Sequence, residues 1–236
     1  MEAAEPTPRK NADLPVRLAS AAAMLGVLAA ALVLGGIWFD LFVALVALVT
    51  YWEFARLVMR ATAASAGRLV ALVLGAVYIG AAAYLLAGLH SYFLLAAIGS
   101  VVATDTGAYF VGRAIGGPRI APSISPSKTW AGLVGGMLFA GLFLCGMVLT
   151  YHYIGGFTDI GDLFEIASTD LVGAMLVGGV LAIAAQAGDF FESWLKRRAG
   201  VKDSSNLLPG HGGVFDRTDG LLPVAIIVGA IASMAM

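Results

Sequence analysis

Apolar residues run through this chain in long, nearly uninterrupted stretches. A transmembrane helix needs about 20 predominantly apolar residues, and such stretches follow one another from residue 14 onward. They predict about seven spans, approximately at Leu14–Leu34, Ile37–Met59, Leu69–Ala87, Tyr92–Val111, Thr129–Tyr151, Leu171–Leu195 and Gly220–Met236. The pattern therefore predicts an all-α, polytopic membrane protein. Residues 14–236 are expected to form one integral-membrane domain, and residues 1–13, rich in proline and charge, a flexible tail.

Composition excludes a soluble domain. The chain has 236 residues, of which 60% are hydrophobic and 12% charged, and its mean hydropathy is +0.90. Soluble domains carry about 25% charged residues. The single cysteine, Cys145, cannot form an intramolecular disulfide.

The basic residues predict the orientation. With the amino terminus in the cytoplasm, all 14 lysines and arginines lie in or beside the amino-terminal segment and the connections after spans two, four and six. The opposite connections contain none, although residues 151–170 carry four acidic side chains. Basic residues concentrate in cytoplasmic loops. The amino terminus is therefore expected in the cytoplasm, together with the two polar segments Gly112–Lys128 and Lys196–Thr218.

Span six ends with polar side chains on one face of a helix. The face begins with Asp189 and continues 3, 4 and 7 positions later with Glu192, Ser193 and Lys196. Carboxylates that enter a membrane indicate a polar cavity with a function. Snorkelling at the membrane interface is the alternative. It is the preferred interpretation of Lys196–Arg198 taken alone, but Asp189 lies deeper and favours function.

A glycine turn and an acidic pair follow. Pro209-Gly-His-Gly-Gly213 predicts an irregular turn, whose backbone N–H groups could approach a phosphate; a hinge without a ligand is the alternative. Asp216 and Asp219 share a helical face and could bind a hard cation such as Mg²⁺. Alternatively, Asp219 caps the last helix.

The other polar segment adds groups that suit phosphate. Asp105 and Tyr109 share a helical face, and Ser125-Pro-Ser-Lys-Thr129 offers hydroxyls and an ammonium. Each feature alone is common in loops, but together with the acidic groups they favour phosphoryl or nucleotidyl transfer. No Walker-type phosphate loop is present in the sequence, which argues against an ATP-driven pump.

These motifs resemble a known family. Ser193-x-x-Lys196-Arg197, then Lys202-Asp203, then Pro209-x-His211-Gly-Gly213-x-x-Asp216-Arg217-x-Asp219 is similar to the signature of phosphatidate cytidylyltransferases, or CDP-diacylglycerol synthases. We call residues 193–219 the signature segment. A looser similarity covers residues 105–132. Ser127 and Ala131 depart from the family pattern, since many members have a lysine at the first position and an acidic or amide residue at the second.

The resemblance implies an activity: CTP and phosphatidate give CDP-diacylglycerol and diphosphate. It implies dependence on Mg²⁺, with or without a monovalent cation, and an active site on the cytoplasmic face of a bacterial inner membrane. The expected partners are CTP, phosphatidate, membrane lipids and a second copy of the chain in a homodimer, with no nucleic acid.

The resemblance also implies residue roles. The metal ligands would be Asp189, Asp216 and Asp219. The catalytic groups would be Asp189, Asp216, Lys202, Asp203 and His211. Substrate would be bound by Asp105, Tyr109, Ser125, Lys128, Thr129, Ser193, Lys196, Arg197, Gly212, Gly213 and Arg217.

Two other classes of membrane protein are less consistent with the sequence. A CDP-alcohol phosphatidyltransferase would carry an Asp-Gly-x-x-Ala-Arg motif with further spaced aspartates, which the sequence lacks. A channel or transporter would explain charge within the membrane. It would not require metal-binding and phosphate-binding groups on one face, and the sequence shows no inverted repeat.

Overall fold

The computed structural model describes residues 14–154 and 170–235, and helices make up most of them. The elements are α1 (Leu14–Leu34), α2 (Gly36–Ala61), α3 (Ser65–Ala87), α4 (Ser91–Ile115), β1 (Arg119–Ala121), β2 (Ser125–Thr129), α5 (Trp130–Ile154), α6 (Asp170–Arg198), α7 (Phe215–Thr218) and α8 (Leu221–Ala235). The predicted all-α, polytopic class is confirmed. The predicted tail, residues 1–13, lies outside the described residues, as do positions 155–169 of the predicted outer connection.

Six of the described helices, α1 to α6, are long and apolar enough to cross a membrane. The seventh predicted span corresponds to α8, which has only 15 residues. At 1.5 Å per residue this helix extends about 22 Å, less than the roughly 30 Å of a bilayer's hydrocarbon core. The expectation of seven full spans is therefore reduced to six long helices and one shorter apolar helix in the described part of the chain.

A small β-hairpin lies between α4 and α5, where the sequence predicted only a loop. Strands β1 and β2 are antiparallel, with Arg119 opposite Thr129 and Ala121 opposite Ser125. Thr129 then caps α5, because its Oγ1 accepts a hydrogen bond of 3.0 Å from the N–H of Gly132. The hairpin therefore fixes Lys128, the residue before this cap, at the start of α5.

Small residues bring α4, α5 and α6 close together. A Cβ built on Gly107 of α4 would lie 2.5 Å from the carbonyl oxygen of Gly135 in α5. One built on Gly178 of α6 would lie 2.5 Å from Cα of Gly141 in α5. Backbone contact through small residues is a common way for membrane helices to associate. This packing holds the polar ends of α4 and α6 on the same side of the bundle.

A second contact joins α2 to the end of α6 and to α7. Phe54 and Leu57 of α2 are buried against Leu195 of α6 and Phe215 of α7. The rings of Phe54 and Phe215 meet edge to face, with centroids 6.1 Å apart. The signature segment is thus anchored on a helix from the first quarter of the chain.

Candidate functional site

The loop between α6 and α7 turns sharply at its glycines. His211 donates its N–H to the carbonyl of Leu208 over 2.8 Å, and Leu208 donates to the carbonyl of Gly212 over 2.9 Å. Gly212 has φ +82, in the left-handed region that favours glycine. A Cβ on Gly213 would lie 2.0 Å from Oγ of Ser204, so no side chain fits there. The predicted irregular turn is confirmed.

Asp216 closes this loop with both carboxylate oxygens. Oδ1 accepts a hydrogen bond of 2.6 Å from Nζ of Lys196. Oδ2 accepts from the N–H groups of Ser204 and Gly213, each at 2.8 Å. It also lies 2.7 Å from the hydroxyl of Ser204, whose single hydrogen is shared between Asp216 and Glu53. Burial alone raises the pKa of Asp216, but these hydrogen bonds, led by that from Lys196, lower it to about 2. The carboxylate of Asp216 therefore holds Lys196, Ser204 and Gly213 of the signature segment close together.

Glu53 of α2 is a second carboxylate at the centre of this loop, and it has no exposed surface. Oε1 accepts hydrogen bonds from the hydroxyl of Ser205 at 2.5 Å and from the N–H of Val214 at 3.1 Å. Oε2 accepts from the hydroxyl of Ser204 at 2.9 Å and from the N–H of Phe215 at 2.6 Å. Four donors from the signature segment thus converge on one side chain of α2.

Lys196 links the polar end of α6 to this loop. Its Nζ lies 2.5 Å from Oε2 of Glu192 and 2.6 Å from Oδ1 of Asp216. Glu192 is almost completely buried, and its other oxygen, Oε1, has no hydrogen-bond partner among the described residues. The lysine therefore contacts one carboxylate from its own helix and one from α7.

Lys128 joins the two polar segments. Its Nζ lies 2.5 Å from Oδ2 of Asp189 in α6, and Oδ1 of Asp189 accepts a hydrogen bond of 3.2 Å from the hydroxyl of Ser193. Nearby, Nε of Arg197 donates to the carbonyl of Ile124 in the hairpin over 3.3 Å. The expectation that the two segments meet on one side of the bundle is confirmed.

Asp219 lies between the two lysine-centred clusters. Its Oδ1 accepts a hydrogen bond of 2.8 Å from the N–H of Gly220. Burial and then the nearby carboxylate of Asp189 raise the pKa of Asp219 to about 7. The backbone approaches α6 so closely that a Cβ on Gly188 would lie 2.1 Å from the carbonyl oxygen of Asp219. The cluster thus contains more carboxylates than its two lysines neutralise.

The donor set fits a hard divalent cation, although no group of three metal-binding side chains is preassembled in residues 14–154 and 170–235. Mg²⁺ is usually bound by one or two carboxylates together with substrate phosphates, so a complete protein cage is not required. Asp189 and Asp219 interact electrostatically, and the buried Oε1 of Glu192 lacks a hydrogen bond. Asp216 is less available, because four donors already occupy its oxygens.

A cavity of about 370 Å³, with charged and polar side chains in its wall, opens beside the ion pair of Lys128 and Asp189. We call it the α4–α6 cavity. Its lining includes Asp105 and Arg113 of α4, Lys128 of the hairpin and Gln186 of α6. Asp105 interacts electrostatically with Asp189 and Lys128. The cavity and the acidic cluster therefore form one continuous polar region.

Comparison with known proteins decides the family. Residues 90–235 match the model of the cytidylyltransferase family. The chain belongs to this family. It is 43% identical over 136 residues to a protein of Brucella suis named phosphatidate cytidylyltransferase, a match that covers 58% of this chain and 44% of that protein. A protein of the same name from Haemophilus influenzae is 41% identical over 135 residues, which cover 56% of this chain and 43% of that protein. One from Mycobacterium bovis is 42% identical over 128 residues, which cover 54% of this chain and 37% of that protein. The chain thus spans less than half the length of these relatives.

Some predicted residues of this cytidylyltransferase-family chain contribute to local structure. Nη1 of Arg113 donates to the hydroxyl of Tyr109 over 3.0 Å. Ser125 is buried in the hairpin, and the hydroxyl of Thr129 is the cap of α5. Lys202 and Asp203 are exposed. Tyr109 lines the α4–α6 cavity with Thr129, whereas Ser125 supports the hairpin that carries Lys128.

His211 and Arg217 lie at the edge of the site. Nδ1 of His211 is 2.7 Å from the hydroxyl of Ser20 in α1. Arg217 turns toward the glycine turn, with Nε and Nη2 donating to the carbonyl of His211 over 3.1 and 2.7 Å. Helix α1 therefore contacts the glycine turn, and Arg217 stabilises the turn through its two hydrogen bonds to His211.

Sequence reasoning missed two site residues. Glu53 is not among the predicted site residues, although it lies within the predicted span Ile37–Met59. A carboxylate within a predicted span was nevertheless a signal for function. Gln186 is uncharged and was therefore absent from a search based on charge; its position three residues before Asp189 was the available signal.

Proposed function

We propose that this chain is a phosphatidate cytidylyltransferase, which converts CTP and phosphatidate to CDP-diacylglycerol and diphosphate. The observation that carries the proposal is the contact between Lys128 and Asp189, which joins the two polar segments into one site between membrane helices. Membership of the cytidylyltransferase family and the names of the similar proteins support it. A site of this kind suits one substrate from the bilayer and one polyanion from the aqueous phase.

The reaction is a displacement at the α-phosphorus of CTP. An oxygen of the phosphatidate phosphate forms the new P–O bond. The bond from the α-phosphorus to the oxygen that bridges to the β-phosphate breaks, and diphosphate leaves with that electron pair. No covalent intermediate with the enzyme is needed, so the protein acts by positioning and by neutralising charge. Lys128 and Lys196, which face carboxylates in this structure, supply cations beside the reacting phosphates.

Asp189 and Asp219 would hold Mg²⁺ in this proposal, with Glu192 beside them. The cation, when bound, would neutralise charge on the phosphate oxygens of both substrates. Asp216 keeps Ser204 and Gly213 in place and so supports the site through its hydrogen bonds.

The proposed setting is the cytoplasmic face of a bacterial inner membrane. The basic residues cluster on the side of the bundle that carries the site, as the positive-inside rule expects of a cytoplasmic face. CTP is then drawn from the cytosol and phosphatidate from the surrounding lipid. A homodimer is proposed from the family resemblance.

The test uses the full chain purified in detergent, supplied with labelled CTP and phosphatidate, and compares it with Lys128→Ala and Lys128→Arg. We expect CDP-diacylglycerol from the unaltered protein. We expect a loss on the order of 10²–10³ in rate for Lys128→Ala, typical of one electrostatic contact in a transition state. The rise in melting temperature caused by CTP should also shrink, because stabilisation by a ligand follows its affinity. Lys128→Arg should retain part of both effects.

Arg60→Ala is the matched control, because this exposed cation ends α2 on the same side of the bundle but outside the site. It should leave turnover and the CTP-induced shift unchanged. Absence of CDP-diacylglycerol with the unaltered protein would refute the proposed function. An unchanged CTP-induced shift in Lys128→Ala would remove the hairpin from the nucleotide site.

A further inference from the structure

Helix α1 turns a polar side chain toward the signature segment. Ser20 is half-buried, whereas residues 14–19 before it are all exposed. It begins the packed side of α1, which continues 4, 8 and 11 positions later with Met24, Leu28 and Ala31. A serine at the start of this otherwise apolar face brings a hydroxyl, which both donates and accepts hydrogen bonds, to the glycine turn.

The hydroxyl of Ser20 has three close neighbours. Its Oγ lies 2.8 Å from the carbonyl oxygen of Pro209 and 2.7 Å from Nδ1 of His211, both in the glycine turn. It also lies 3.0 Å from the carbonyl oxygen of Arg17, one turn earlier in α1. The backbone of the turn packs against the same part of α1, because a Cβ built on Gly210 would lie 2.6 Å from Cγ of Arg17. Helix α1 therefore holds three consecutive residues of the turn.

These distances indicate which nitrogen of His211 carries hydrogen. A ring turned over would place Cδ2 against Oγ, and 2.7 Å is too short for a C–H···O contact of about 3.3–3.6 Å. The hydroxyl of Ser20 has one hydrogen. If it were given to Nδ1, the carbonyl oxygen of Pro209 would face Oγ at 2.8 Å with no hydrogen between them. If it is given to Pro209, Nδ1 donates to Oγ and both contacts are hydrogen bonds. The geometry therefore favours hydrogen on Nδ1.

Nε2 is then the nitrogen of His211 that remains for a ligand. It has no hydrogen-bond partner among residues 14–154 and 170–235. In a neutral imidazole with hydrogen on Nδ1, Nε2 carries the lone pair, so it accepts a hydrogen bond or a proton and cannot donate one. A neutral histidine in water prefers the other tautomer, with hydrogen on Nε2. The contact with Ser20 reverses that preference.

We propose that Ser20 is a positioning residue, which fixes the imidazole of His211 with hydrogen on Nδ1 and so presents Nε2 to the substrates as an acceptor. The inference rests on the proposed function, because it takes His211 as a group of that reaction. Ser20 lies outside residues 90–235, which match the family model. A helix from outside the matched region thus prepares a residue inside it.

The first measurement is the tautomer of His211, read from nitrogen-15 spectra of the full chain in detergent with labelled histidine. The chain has three histidines, and the signal that His211→Asn removes is that of His211. The spectra are recorded at alkaline pH, where imidazoles are neutral and nitrogens with and without hydrogen differ widely in chemical shift. We expect hydrogen on Nδ1 in the unaltered protein and in Ser20→Thr, which keeps the hydroxyl. Ser20→Ala should shift His211 to the tautomer with hydrogen on Nε2.

The second measurement is turnover of CTP and phosphatidate. Ser20→Ala should lower kcat/KM about 2- to 10-fold, the size of one neutral hydrogen bond, and Ser20→Thr should restore most of it. If Ser20 acts through His211, Ser20→Ala should cause no comparable loss in a His211→Asn background, since coupled residues are not additive.

Ser233→Ala is the matched control. The hydroxyl of Ser233 also donates to the carbonyl three residues earlier, that of Ala230, over 2.8 Å. The residue is exposed near the end of α8. Its loss should change neither the tautomer of His211 nor turnover.

Hydrogen on Nε2 in the unaltered protein overturns the inference, and so does an Nδ1–H tautomer that persists in Ser20→Ala. Equal losses of turnover from Ser20→Ala with and without His211 also overturn it, because the serine would then act on the turn alone. Should Ser20→Ala not fold, the tautomer in the unaltered protein decides. The proposed function fails separately, by absence of CDP-diacylglycerol, and the spectra still test whether Ser20 fixes the ring.

Discussion

Replacing Glu53 by glutamine should destabilise the signature segment although the side chain keeps its shape. Each oxygen of Glu53 accepts one hydroxyl and one backbone N–H, from Ser205 and Val214 on Oε1 and from Ser204 and Phe215 on Oε2. An amide NH₂ must replace one oxygen. The serine hydroxyl beside it can rotate and accept, but the backbone N–H cannot and loses its partner.

The magnitude follows from these contacts. One hydrogen bond to a charged group is lost, and such a bond contributes about 1.5–3 kcal/mol, so the free energy of unfolding should fall by about that amount. Glu53→Ala should cost more, because all four donors lose their acceptor inside a buried site. Turnover should fall in both variants, because the loop that carries Gly213 and Asp216 loses its support.

The measurement is denaturant or thermal unfolding of the purified protein in detergent, followed by CTP turnover at a temperature where every variant is still folded. Asp40→Asn is the matched control, since Asp40 is an exposed carboxylate at the start of the same helix and lies outside the site. A Glu53→Gln protein as stable and as active as the unaltered chain would refute the reasoning. Loss of stability in Asp40→Asn of the same size would show that any acid-to-amide change in α2 has this effect.

Two further predictions concern the metal and the orientation. The pKa of Asp219 is raised to about 7 in the folded state. Between pH 4 and 7 this side chain is therefore protonated in the folded protein and ionised in the unfolded protein. Without divalent cations, the melting temperature should fall as pH rises through that window. Mg²⁺ should reverse this loss and Asp219→Asn should flatten the slope; equal slopes in chelator for the two proteins would contradict the prediction. For orientation, His90→Cys in a Cys145→Ala background lies exposed in the α3–α4 connection and should be labelled by an impermeant reagent on intact cells. Labelling only after permeabilisation would reverse the topology.

Much of the fold could be predicted because hydropathy alone determines which segments enter a bilayer. The span predicted at Leu14–Leu34 coincides with α1, whereas α4 continues to Ile115, four residues beyond its predicted end. Those last residues include Arg113, which ends the apolar pattern without ending the helix. The hairpin was missed because residues 119–129 contain prolines and serines instead of alternating apolar positions, so its pairing depends on tertiary contacts such as that from Arg197 to Ile124.

The site was predicted as a set of residues on one side of the membrane, but not as a network. Charge and spacing identify Asp189 and Lys128 as members. That they contact each other depends on the packing of α4, α5 and α6, which no local pattern records. The hydrogen bonds that Asp216 accepts could not be predicted for the same reason, because their donors on Ser204 and Gly213 are brought to it only by the folded loop.

The position of Glu53 also determines when this site can be completed during synthesis. Its partners are 151 to 162 residues farther along the chain. At about 5–20 residues per second, a ribosome needs roughly 8–30 s to deliver Ser204 after Glu53. Throughout that interval the nascent α2 carries a carboxylate without its final donors. Insertion of the early helices therefore precedes completion of their polar interior, which requires translation of the signature segment.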